Sequence, residues 1–94
     1  MTGRLLFVAL SLSALSGLSI AHAADPAFCK QYARTALVQV RGALGNPHCG
    51  AGLQGTRWAA EFPVHYEWCL GASLDAADAE KDARTVYLKA CAGR

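Results

Sequence analysis

The chain has 94 residues, 53% hydrophobic and 17% charged, with a net charge of +2. That length holds one small domain, which excludes a large multi-site enzyme, a repeat array or a multidomain receptor. Extensive disorder is not expected, because the apolar fraction is high and the net charge is low.

Residues Met1 to Arg4 carry one cation, Leu5 to Ile20 carry no charge, and Ala21-His22-Ala23 is a small-x-small ending. These are the three regions of a secretory signal peptide, so residues 1–23 are expected to be removed by cleavage after Ala23, with Ala21 as a nearby alternative. A spanning helix needs about 20 predominantly apolar residues. Serines and Gly17 dilute this run, so no stable membrane insertion is expected once the leader is gone. Loss of Arg4 lowers the net charge of the remaining 24–94 domain to +1. Nucleic-acid binding draws its affinity from many phosphate contacts, so a nucleic-acid partner is not expected. The expected location is the periplasm or the medium.

Asp25-Pro26 is a helix start, an N-cap acceptor followed by proline at the first helical position. Phe28, Tyr32, Ala33, Ala36, Leu37, Val40 and Leu44 then recur at spacings of three and four. The pattern predicts helix 1 over about 26–43, ended by Gly42 and Gly45-Asn46-Pro47. Residues 45–55 hold four glycines and read as a loop tied down by Cys49. From Thr56 the chain turns aromatic, and Trp58, Phe62 and Tyr66 recur every four residues as one helical face requires. Pro63 removes a backbone donor and restrains Phe62, predicting either a kinked helix or a short turn followed by helix 2 over 63–70. Gly71 supplies the stop. Asp75 is the expected cap of helix 3, whose inner face would be Ala76, Ala79, Ala83, Val86, Tyr87 and Ala90. Glu80 and Arg84 would form an i, i+4 pair on its surface, worth a few tenths of a kcal/mol. No segment alternates with period two, so no strands are expected.

The fold class is therefore all-α, an up-down-up three-helix bundle with short connections. Four cysteines, Cys29, Cys49, Cys69 and Cys91, all fall after the leader, and an even count in a short exported chain implies disulfides with three conceivable connectivities. Cys29 begins helix 1 and Cys69 ends helix 2, which puts both at one end of the bundle. Cys49 follows helix 1 and Cys91 ends helix 3, which puts both at the other. Bonded cysteines need Cα atoms within roughly 7 Å. Cys29–Cys69 with Cys49–Cys91 meets that limit, whereas the nested pairing joins opposite ends and the sequential one spans helix 1.

Cys29-x-x-Tyr32-Ala33, Cys49-Gly50, Arg57-Trp58 and His65-Tyr66-x-Trp68-Cys69-Leu70 form a distinctive ordered set. It resembles a group of small exported proteobacterial four-cysteine domains over roughly 28–91. The His-Tyr-x-Trp-Cys element is its most specific part. The resemblance implies export and a common fold but no reaction, and Pro63 is a local departure that bears on the continuity of helix 2.

A metal reading would recruit His48, Cys49, His65 and Cys69 as nitrogen and sulfur ligands. It separates ligands along the bundle and strands Cys29 and Cys91, so no metal or other cofactor is expected. Covalent haem attachment has no Cys-x-x-Cys-His to stand on. Glu61 and Glu67 lie about 120° apart on a helix and do not flank one substrate bond. Glu61 and His65 could pair at i, i+4, but no serine completes a nucleophile–base–orienter set. An enzyme is not expected, and a small enzyme or metal-binding protein centred on His65 is the alternative. Trp58, Phe62 and Tyr66 read as core, packed against Phe28, Tyr32 and Tyr87. Trp68 and His65 fall on a different face. The simpler expectation there is a buried Trp68 with a hydrogen-bonded indole. The functional one is an exposed patch of Arg57, His65, Tyr66 and Trp68 that binds an envelope or extracellular protein or a glycan, since aromatics and arginine are enriched at binding hot spots. Lys30, Arg34 and Arg41 align on helix 1 and read as its solvated face. The leading expectation is a non-catalytic exported helical module with a structural or binding role.

Overall fold

The computed structural model describes residues 23–93. The expected leader lies outside the described residues except for Ala23. Helix α1 runs Pro26–Leu44, opened as its sequence requires: Asp25 Oδ1 accepts from the Phe28 N–H at 2.9 Å, and Pro26 occupies the first turn, where its missing donor costs nothing. The Gly-rich segment after it departs from the expected plain loop. Asn46 caps a four-residue helix α2, Pro47–Gly50, by accepting from the His48 N–H at 2.8 Å. This short turn is what aims Cys49 inward.

The aromatic segment splits as the turn-then-helix reading requires. A 3₁₀ turn covers Thr56–Trp58, preceded by Gly55 at φ 78°, a left-handed backbone that favours glycine. Helix α3 follows over Phe62–Leu70, with Pro63 in its first turn rather than in its interior. Helix α4 spans Leu74–Ala92, and its cap differs from the expected Asp75: Ser73 Oγ accepts from the Ala76 N–H at 3.1 Å. Asp75 instead lies in the first turn, where an acid complements the helix dipole.

Three main helices pack together, with α1 the shared partner of α3 and α4. Disulfides Cys29–Cys69 and Cys49–Cys91 close opposite ends, with Cα separations of 5.5 and 5.1 Å. The inner stripe of α1 is small: Ala33, Ala36, Val40 and Ala43 are all fully buried, which lets its neighbours approach closely. Apolar burial falls into two clusters around the sulfurs. One joins Ala24, Cys29, Tyr32, Cys69 and Ala77, flanked by Phe28, Tyr66 and Leu70. The other joins Ala43, Cys49 and Cys91, flanked by Leu53, Trp58, Tyr87 and Leu88.

Nine residues make α3 only about 13 Å long, half the length of α1. The irregular segment 51–61 covers the remainder. Side chains of the helices hold that strap in place. Trp58 packs on Tyr87 with ring centroids 5.0 Å apart, and His65 Nε2 lies 2.7 Å from the Ala59 carbonyl. Tyr87 donates its hydroxyl to the Cys49 carbonyl at 2.6 Å. A Cβ at Gly52 would stand 2.8 Å from that hydroxyl, so a larger residue there would have to displace the Tyr87 ring tip from its bond to Cys49. Trp58 and Tyr66 accordingly flank different clusters instead of sharing one helical face, because the strap interrupts the period between them.

The expected inner face of α4 is off by roughly a quarter turn. Val86 is 66% exposed, and Ala79 and Ala90 face solvent, while Ala77, Arg84 and Cys91 are buried. The alanine-rich stripe was a weak guide, since alanine is at home on either side of a helix. Cys91 has to point inward to bond, and its heptad neighbours Arg84 and Ala77 go with it. Among the described residues no helix is long and apolar enough to cross a membrane.

Candidate functional site

Two features stand out from this frame, a buried polar centre and an exposed tryptophan. Arg84, expected in a surface pair with Glu80, has no exposed area. Its Nε donates to Gln39 Oε1 at 2.7 Å and its Nη1 to the Arg57 carbonyl at 3.2 Å. Glu80 Oε2 is 4.0 Å from Nη1. The guanidinium carbon lies 5.2 Å from the centroid of the Tyr32 ring, in cation–π range. Nη2 has no hydrogen-bond partner among the described residues. Gln39 completes the centre by donating from Nε2 to the Lys81 carbonyl and to Thr85 Oγ1, at 3.1 and 3.0 Å. One glutamine on α1 and one arginine on α4 thus lock the two long helices and the strap together. Burial pushes the Tyr32 phenol above its ordinary range, and the neighbouring guanidinium works against that rise.

At the rim of this centre, Arg57 reaches Glu80 through two hydrogen bonds, Nε to Oε2 at 2.5 Å and Nη2 to Oε1 at 3.0 Å. The bidentate bond from Arg57 holds the Glu80 carboxyl below the usual range. A depressed native carboxyl contributes stability that is present above its unfolded value and lost as the pH falls through the folded one. The pair is partly solvated, so the effect is expected to stay within about 1 kcal/mol. Urea midpoints of wild type and Glu80→Gln should differ at neutral pH and converge below about pH 4. A constant gap between them down to acid denaturation would show that Glu80 carries no such linkage.

The four sequence candidates divide. His65 is 3% exposed and its Nε2 is occupied by the Ala59 carbonyl, so its ring fastens the strap and takes no part in a surface patch. Arg57 is exposed, but its guanidinium is engaged by Glu80. Tyr66 is half-buried and stacked on Phe62, centroids 5.7 Å apart. Trp68 is 44% exposed, contrary to the simpler expectation of a buried indole, and its inner side rests against Tyr32 with centroids 5.5 Å apart. Lys30, Arg34 and Arg41 lie on the solvated side of α1. Arg34 donates to the Gln31 side chain there.

The sulfurs of Cys49 and Cys69, the thiolates a metal site would have used, are spent in disulfides. Among the described residues no group of three His, Cys, Asp or Glu side chains is placed to hold a metal ion. Sequence reasoning missed Gln39 and the inward course of Arg84. The signal for Arg84 was its position seven residues before Cys91. The corresponding signal for His65 was its place one turn before Cys69. No family model, curated protein or solved structure matches this chain.

Proposed function

We propose that residues 24–94 form an exported, non-catalytic binding module of the cell envelope or extracellular space, akin to the small proteobacterial four-cysteine domains it resembles. Its partner on this reading is a protein or a glycan. Two disulfides and no free cysteine among the described residues are consistent with an oxidising compartment. The observation that carries the binding role is Trp68, a large aromatic left 44% exposed yet braced by Tyr32. A ring held in place from behind loses little freedom when a ligand covers its outer side, and such rings dominate binding energies. The alternative centred on His65 draws less support, because the ring is buried and its Nε2 engaged.

Trp68→Ala is the test. The variant should keep both disulfides and its helical circular dichroism, at a stability cost of about 1 kcal/mol for the lost stacking on Tyr32. Its retention on purified cell-wall glycan or on fractionated envelope protein should fall by about thirtyfold, as for a hot-spot residue. Fluorescence of a Trp58→Phe protein, which reports Trp68 alone, should shift when the ligand is added. Equal retention of wild type and variant on every fraction would remove Trp68 from the reading. An intact mass showing a bound zinc, with titratable thiols, would favour the metal-binding alternative.

A further inference from the structure

The junction at which the leader is expected to end is built into the folded domain. Ala24 is 5% exposed and belongs to the cluster of Cys29, Tyr32, Cys69 and Ala77. Its N–H donates to the Ala72 carbonyl at 2.7 Å. Ala23, one residue earlier, forms an antiparallel bridge with Ser73. The N–H of the Ala23–Ala24 peptide bond is therefore already paired to the turn between α3 and α4, and Ala23 lies directly opposite Ser73 of that turn. That turn is anchored by Cys69, three residues before Ala72, whose disulfide partner is Cys29. Peptidases take their substrates as extended segments that pair with the enzyme through accessible backbone groups, and here the Ala24 N–H is used internally and Ala23 is laid against Ser73.

We propose that the Ala23–Ala24 bond is a processing site that is open only before the domain closes, and that the amino group released there becomes a structural part of the Cys29–Cys69 end. The proposal rests on the reading of residues 1–23 as a cleavable leader. Hydrolysis adds one water: Ala23 leaves with the new carboxylate, and Ala24 keeps the amine, which takes up a proton. The resulting ammonium retains the donor that Ala72 accepts in the uncut chain, so the contact survives the cut. The methyl side chain of Ala24 sits in the same cluster as the disulfide, which restricts the residue after the cut to a small one. Processing and folding thus have a fixed order, cleavage first and closure second.

The full 94-residue chain, oxidised or reduced, is incubated with detergent-solubilised signal peptidase, and products are read by mass. The reduced chain is expected to yield a product beginning at Ala24, and the oxidised chain to be cut at least about tenfold more slowly, because attack must await local opening. Equal rates overturn the ordering while leaving the leader reading intact. Cleavage at another bond, such as after Ala21, overturns the assignment of Ala24. No cleavage of either form overturns the leader reading and the proposal with it. In the oxidised mature protein, an amine-acylating reagent should modify the Ala24 amino group about tenfold more slowly than in the reduced chain. Equal labelling overturns its capture by Ala72.

Discussion

Reduction of both disulfides is expected to abolish the cooperative unfolding transition of the domain. The bridges span 40 and 42 residues. In the chain-entropy account each such loop is worth about 4 kcal/mol. Two of them rival the entire stability of about 5–15 kcal/mol that a small domain possesses. The apolar core gives little reserve, since the fully buried hydrophobic positions are mainly alanines and the cysteines themselves. Thermal melts followed by circular dichroism, with and without reductant, check this. A reduced protein that still melts sharply within a few degrees of the oxidised one would refute it. All four cysteines are buried, so reduction in the absence of denaturant should also be slow and limited by opening of the fold. Replacing one pair at a time, Cys29→Ala with Cys69→Ala or Cys49→Ala with Cys91→Ala, should cost about 3–5 kcal/mol each, including the packing lost.

The second large effect concerns Gln39 and Arg84. Gln39→Leu leaves the buried guanidinium without its 2.7 Å acceptor and is expected to destabilise by about 3 kcal/mol or more. Arg84→Met keeps most of the stem but strands Gln39 Oε1 and releases the Arg57 carbonyl from its donor, for a loss of about 2 kcal/mol. The double variant should recover much of either loss, because an apolar pair of similar volume needs no desolvated charge. Urea denaturation of the two single variants and the double one gives the coupling directly. Additive losses would mean that the two side chains act independently, against the geometry described above. Nη2, which has no partner among the described residues, adds to the expectation that Arg84 is held at a cost that packing elsewhere offsets.

Much of the fold was legible once the cysteines were used as rulers, whereas the buried centre of Gln39 and Arg84 was not. Asp25, Pro26 and the glycine-rich breaks place α1 and end it, since capping and chain reversal are local chemistry. The bridge pairing follows from helix lengths and directions alone. The face of α4 was harder to read. Alanines carry too little hydrophobicity to mark an inner stripe, and Arg84 is a residue type that buries only with partners. Those partners, Gln39 and the Arg57 carbonyl, are distant in sequence by 45 and 27 residues. His65 and Trp68 share one His-Tyr-x-Trp element, yet one is buried beneath the strap and the other open to solvent. Which is which depends on where α3 sits against α1 and on the path of residues 51–61.

Local sequence therefore determined the start of α1, a break in the helical pattern at Pro63, the two crosslinks and the all-α class. Each of these is set by short-range backbone chemistry or by the reach of a sulfur–sulfur bond. Tertiary structure decided the quarter-turn rotation of α4, the burial of Arg84 and His65, the pairing of Arg57 with Glu80 and the exposure of Trp68. A side chain's surroundings come from chain segments far along the sequence. With a core this thin, a few long-range hydrogen bonds outweigh the weak hydrophobic pattern of an alanine-rich helix.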